Sequence, residues 1–331
     1  METNAQSDNI HCTNFYRDGF VIIENVLSEE QKRVLHSECE RLTNFVMDQG
    51  YDLMSELGGI IEPVNVGYED PPETQTFVFN KRAYIRNRDK ISTPDSLTNI
   101  IFGVVKDLVA KLLPKPTEDE PLCLFNEQYI VKMPRSVNES AFAWHQDTQY
   151  MDKHAQELYP VISCWIALDD VGPDNGTLLI EPLPFIINTQ ETISNIPQVS
   201  SYLEYFGLRA DAYAPPLDTM EALDRSILSG TDGRQEEFVI SSSDGSLQEE
   251  ERPQSRYRTP VLVKIPAGSI VFLSGHVRHC SLGNPSPLFR RAYMPQYSIG
   301  PVFNRAGCLI SLAVPCEDPA PLQVPPVFDD V

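Results

Sequence analysis

The chain is poor in positive charge: 26 lysines and arginines stand against 47 acids, for a formal net charge of −21. Such a field repels polyanions, which argues against nucleic acid or an anionic membrane surface as a partner. Paired cysteines are also lacking. Seven cysteines, at positions 12, 39, 123, 164, 280, 308 and 316, form no CxxC pair, which argues against a disulfide scaffold and for a reducing compartment. No apolar run approaches the roughly 18 residues of a membrane helix, so no membrane insertion is expected. The polar opening METNAQSDNIHC has neither a basic n-region nor an apolar h-region, which predicts no signal peptide. The closing FDDV is not an SKL-type address, and the expected location is cytoplasmic. Internal repeats are absent as well.

What is present divides into helices first and strands later. GFVII suits a short strand, and Ser28 with Gln31 has capping-box spacing. Val34, Leu35, Leu42, Phe45 and Val46 make a helical stripe that Gly50 stops. A second helix is predicted over 94–113, with Thr93 as its cap, Pro94 in its first turn and Pro114 beyond its end. From about 121, LCLFNEQYIVKM, AFAWHQD, VISCWIAL and GTLLIEP read as short strands, and strands return after 259. Between them the pattern dissolves over about 186–258, where a helix near 218–228 and the acidic, serine-rich SSSDGSLQEEERPQS fall. This order predicts a mainly β domain with flanking helices, an antiparallel sandwich or barrel. Residues 1–13 read as a disordered terminus, 14–314 as one domain, and 315–331 as a proline-rich tail.

The segment WHQDTQY, 144–150, sets His145 and Asp147 two apart in a strand-like context. Residues i and i+2 of a strand share a face, so an imidazole and a carboxylate could aim at one point. HxD alone is weak. A second set, HCSLGNPSPLFRRA, lies some 130 residues downstream. A histidine from there would complete a two-His-one-carboxylate triad, which leaves three cis positions of an octahedral Fe(II) open. An oxoacid held at such a centre needs a bidentate, permanently charged partner for its far carboxylate, and arginine is that partner.

HQD, followed by WIALDD…NG and then H-x-S-x-x-N-x-S-x-x-x-RRA, closely resembles the phytanoyl-CoA dioxygenase family of Fe(II)/2-oxoglutarate oxygenases. FYRDGFVIIENVLS is similar to the opening of that family. The resemblance spans about 14–60 and 121–300 and implies a double-stranded β-helix, the cupin-like jelly roll, with the metal inside one mouth. It implies His145, Asp147 and His279 as iron ligands, the last because the family's 2-oxoglutarate arginine follows eleven residues later, at Arg290. Ser281 matches a hydroxyl that helps bind the co-substrate carboxylate, Trp165 an aromatic lining the site, and Gln128 a position that contacts 2-oxoglutarate. The implied cofactors are Fe(II), 2-oxoglutarate and O2, with ascorbate as reductant.

His276 lies three residues from His279 and should face away, in a structural role. Arg291 should be solvated while its neighbour faces inward. Cys280 reads as inert packing. The basic stretch KRAYIRNRDK, 81–90, reads as a solvated, salt-bridged edge, or alternatively as an anion site for a substrate carboxylate or a CoA phosphate. Two departures from the family matter. NGTLLIEPLPF replaces the usual strand ending in PGSH, and the insert at 186–258 has no family counterpart. The insert is read either as a lid over the substrate mouth, with its apolar part 202–213 touching substrate, or as a surface loop. Asp147 argues against halogenation, for which relatives carry a small residue there. The resemblance thus implies oxidation of a C–H bond in a small, fairly apolar metabolite, by hydroxylation, desaturation, cyclisation or endoperoxidation. An acyl-CoA hydroxylase or a non-oxygenase metal cupin is the alternative. Oligomeric state is not legible.

Overall fold

The β-branched, alternating segments pair into two antiparallel sheets. A computed structural model describes residues 2–64, 80–88, 94–114, 116, 120–151, 153–184 and 258–317. The strands are β1 (Phe20–Ile23), β2 (Ile60–Ile61), β3 (Leu122–Lys132), β4 (Phe142–His145), β5 (Val161–Ala167), β6 (Leu178–Glu181), β7 (Val261–Leu262), β8 (Ile270–Ser274), β9 (Arg278–Ser281), β10 (Arg290–Ile299) and β11 (Val314–Pro315). The larger sheet runs β1-β8-β5-β10-β3-β11, with β2 also on β3, and the smaller runs β4-β9-β6-β7. Chain neighbours are seldom sheet neighbours, the mark of a jelly roll. β5 is buried along its whole length, because it lies in the middle of the larger sheet between β8 and β10.

The helices flank that sheet. They are α1 (Glu2–Asp18), α2 (Glu29–Asp48), α3 (Lys81–Arg88), α4 (Pro94–Asn99), α5 (Lys106–Leu112) and α6 (Lys153–Leu158). Ser28 caps α2 as its sequence predicts: its hydroxyl accepts from the Gln31 amide, and Gln31 Oε1 accepts from the Ser28 amide at 2.9 Å. Leu35, Leu42 and Val46 of the predicted stripe are buried. The helix expected over 94–113 is present in three pieces, since a π-helical turn at Ile100–Val105 separates α4 from α5. A π turn loosens the regular carbonyl pairing, and Tyr297 donates its hydroxyl to the Ile101 carbonyl at 2.6 Å.

Two expectations need correcting. Residues 2–13 belong to α1 instead of a disordered terminus. Its last turn is held by the fully buried Phe15 and closed by Gly19 at φ +82, where a Cβ would sit 2.8 Å from Leu183. The basic stretch 81–90 is not simply a solvated edge, because Arg88 is fully buried. Its guanidinium reaches Glu38 at 2.6 Å and Glu127 at 2.9 Å. Tyr84 and Tyr293 each donate to Glu127 at 2.5 Å, and Tyr129 donates to Glu38. A buried charge is tolerable only when paired and hydrogen-bonded, and this cluster meets that condition. The remainder of 186–257, including the helix expected near 218–228 and the lid reading, lies outside the described residues, as do Thr93 and 318–331. Among the described residues no helix is long and apolar enough to cross a membrane, and all seven cysteines are thiols.

Candidate metal and oxoacid site

β4 and β9 bring two of the expected residues face to face, with His145 opposite His279 in the ladder. Their rings are 4.2 Å apart. Asp147 does not continue β4: the strand ends at His145 and Asp147 opens a short 3-10 turn to Tyr150. Gln146 between them is extended, at φ −116 and ψ 139, so the two side chains still share a direction. The Gln146 amide donates to the His276 carbonyl at 2.5 Å and ties this corner to the turn before β9. Asp147 Oδ1 lies 3.7 Å from Nε2 of both His145 and His279. The three donor atoms lie within 4.8 Å of one another, which fits one divalent ion bound by two imidazoles and one carboxylate. Burial pushes His279 down to about 4, with the Asp147 charge opposing it and His145 adding to it. The imidazole is therefore neutral, as a metal ligand must be. His276, buried in the turn between β8 and β9, is not part of this group.

The carboxylate is held from behind by a rung of polar side chains. Asn126 on β3, Gln296 on β10 and Ser163 on β5 are ladder partners across three adjacent strands. Asn126 donates to Gln296 Oε1 at 3.2 Å, Gln296 Nε2 donates to Ser163 Oγ at 2.7 Å, and Ser163 donates to Asp147 Oδ2. The ladder register shifts at Gln296/Tyr297. Such a bulge beside the rung re-aims side chains, as bulges near sites commonly do. Every donor in the chain points towards Asp147, leaving Oδ1 to face the histidines.

Deeper in the same cavity of about 370 Å³ lie Gln128, Trp165, Ser281 and Arg290. Arg290 is fully buried, and among the described residues none of its three guanidinium nitrogens has a hydrogen-bond partner. The Trp165 ring faces it, 5.2 Å from the guanidinium carbon. Burial pulls Arg290 down to about 9, and at neutral pH it stays charged. A buried fork of donors without acceptors is costly unless an anion completes it, and a carboxylate fits that fork. Arg291 points the other way, as expected, but it is partly buried instead of solvated. It lies 3.6 Å from Asp169 and 3.4 Å from His36 on α2. Cys280 lines the cavity.

Sequence reasoning passed over Ser163, Gln296, Asn126 and one more residue, Lys132. Period-2 alternation held the signal. Asn126, Gln128 and Lys132 share a face of β3 in an otherwise apolar run, and Ser163 shares the face of Trp165.

The phytanoyl-CoA dioxygenase (PhyH) family profile matches residues 15–182, half of the chain. Comparison with curated proteins finds no match. Among solved structures, the epimerase SnoN in complex with Fe3+, alpha ketoglutarate and nogalamycin RO aligns at TM-score 0.50 and 13% identity, over 95% of this chain and 97% of that one. The carbocyclase SnoK from nogalamycin biosynthesis aligns at 0.48 and 16%, over 93% of each chain. EvdO2 from Micromonospora carbonacea var. aurantiaca, complexed with 2-oxoglutarate, aligns at 0.45 and 18%, over 88% of this chain and 90% of that one. At 13% identity the likeness to SnoN speaks for the fold alone.

Proposed function

The chain belongs to the phytanoyl-CoA dioxygenase family of 2-oxoglutarate-dependent iron oxygenases, and on that premise we propose that it oxidises a C–H bond of a small, fairly apolar metabolite. The observation that carries this reading is the buried, unpartnered Arg290 guanidinium in one cavity with the His145, Asp147 and His279 donors. The metal site of a cupin hydrolase or isomerase would not require such an arginine.

In this reading iron and 2-oxoglutarate, once bound, supply an oxidant able to take hydrogen from an unactivated C–H bond, with succinate and CO2 released. His145, Asp147 and His279 would hold the metal. Arg290 receives the distal carboxylate of 2-oxoglutarate, Ser281 helps hold it, and Trp165 and Gln128 shape its surroundings. Beyond them the wall turns apolar with Phe125, Met151 and Ile310. Tyr150, 75% exposed, stands at this cavity with its ring 6.1 Å from that of His145. These side chains favour an apolar substrate, and the walls of a largely preformed apolar pocket are where such specificity resides. Two cations of 81–90 are already engaged elsewhere: Arg88 is paired with Glu38 in the core and Lys81 donates to the Cys316 carbonyl at 2.6 Å.

The test is succinate and CO2 release from 2-oxoglutarate with Fe(II), ascorbate and O2. Slow turnover alone, raised by one or more metabolites in a screen, is the expected result. No release under these conditions would overturn the reading. The rung behind Asp147 adds a prediction. Ser163→Ala should weaken Mn(II) binding roughly 10- to 100-fold, the usual effect of removing an outer-shell partner. Calorimetric titration checks this without turnover.

A further inference from the structure

We infer that Lys132 is a positioning residue that makes Ser281 an obligate hydrogen-bond donor to the distal carboxylate of 2-oxoglutarate, an inference that rests on the co-substrate reading above. Lys132 is fully buried and is the ladder partner of Arg290. Its ammonium reaches three acceptors: the Ser140 carbonyl, the Leu282 carbonyl at 2.6 Å, and Ser281 Oγ at 2.9 Å. An ammonium has three N–H bonds and no lone pair, so each is committed.

The consequence falls on Ser281. A hydroxyl ordinarily rotates to donate or accept as its neighbours require. Here its oxygen already accepts from Lys132, which leaves its single hydrogen for another partner, and Ser281 lines the cavity together with Arg290. A carboxylate on the Arg290 fork then meets donors only.

The surroundings are built for this lysine. Gly176 turns at φ +87, and a Cβ there would lie 2.7 Å from Lys132 Cδ, so the NG turn leaves room for its stem. The Phe142 ring lies 5.1 Å from the ammonium. Among the described residues no carboxylate makes an ion pair with Lys132 or Arg290, so a dianionic ligand supplies the missing charge. Burial first, and then the charge of Arg290, push Lys132 down to about 6, and an adjacent anion favours its charged form.

The experiment is 2-oxoglutarate binding to Mn(II)-loaded, anaerobic protein by calorimetry, for Lys132→Met, Ser281→Ala and the double variant, with pyruvate as a ligand lacking the distal carboxylate. Each single variant should weaken 2-oxoglutarate on the order of 10-fold, the scale of one charge-assisted hydrogen bond. The double variant should be no weaker than the worse single, because the two act through one contact. Mn(II) affinity should be unchanged, and the preference for 2-oxoglutarate over pyruvate should shrink. Where Lys132→Met does not fold, Gly176→Ala, whose methyl group would lie 2.7 Å from Lys132 Cδ and 2.9 Å from the Leu282 carbonyl oxygen that Lys132 binds, replaces it in the same cycle. Additive losses, or wild-type affinity in the Lys132 or Gly176 variant, overturn the inference. A wild-type protein that does not bind 2-oxoglutarate at all overturns the functional reading instead.

Discussion

His279→Ala is expected to abolish iron-dependent 2-oxoglutarate turnover and to weaken Mn(II) binding by more than about 100-fold, beyond what loss of an outer-shell partner costs. The reason is geometric. His145, Asp147 and His279 form a compact triangle of donors, each Nε2 3.7 Å from Asp147 Oδ1 and all three within 4.8 Å of one another. Removing either ring leaves two of the three donors that would hold the ion. His276→Ala should keep most of the activity, because the contact this residue makes to the site corner runs through its backbone carbonyl to Gln146, which alanine preserves. Circular dichroism should show both variants folded. Loss of metal in His276→Ala with retention in His279→Ala would mean that the β9 register is misread by three residues.

The second large effect lies at Arg290. Removing one partner of a buried, hydrogen-bonded charge pair costs about 2–5 kcal/mol, so Arg290→Ala should raise the 2-oxoglutarate requirement at least roughly 30-fold at 1.4 kcal/mol per decade. Thermal denaturation gives an independent readout. A ligand that binds only the folded state raises its melting temperature, so 2-oxoglutarate with Mn(II) should stabilise the wild type and lose that effect in Arg290→Ala. Arg291→Ala should leave the 2-oxoglutarate requirement nearly unchanged. Its partners are Asp169 and His36, on the other face of β10 and partly exposed, and such pairs contribute little. Equal effects of the two substitutions would show that the inward arginine is misassigned.

Much of this was legible in the sequence wherever one local rule acts alone. β-branched and aromatic runs between turn signals marked β3, β5 and β6, the Ser28 and Gln31 pair announced the start of α2, and HxD with a distant histidine and arginine announced the metal and oxoacid site. Rules that compete were harder to read. A strand reading of 144–150 puts Asp147 on β4, but the chain turns at that residue, and the face survives only because Gln146 is extended. The run IIFGVV reads as helix and is helical, yet with a π turn whose Ile101 carbonyl is met by a tyrosine almost two hundred residues away. The fate of a charged residue is the least local property of all. Lys132 and Arg88 look like solvent residues until the acceptors that surround them, from Ser140 and Leu282 in one case and Glu38 and Glu127 in the other, are assembled by tertiary structure.

The Arg88 cluster also bears on how the molecule assembles. Its three charges come from α2, α3 and β3, with partners 50 and 39 residues from Arg88 along the chain. None can leave water by itself, because a lone buried ion has nothing to offset its lost hydration. Until all three meet, each is better off in solvent, and the helices that carry two of them have no reason to stay on the sheet. The last strip of water must therefore leave as the helical layer and the barrel close together. Helices and barrel should accordingly come apart in one cooperative transition, and the helical flank should not peel away first as a unit of its own.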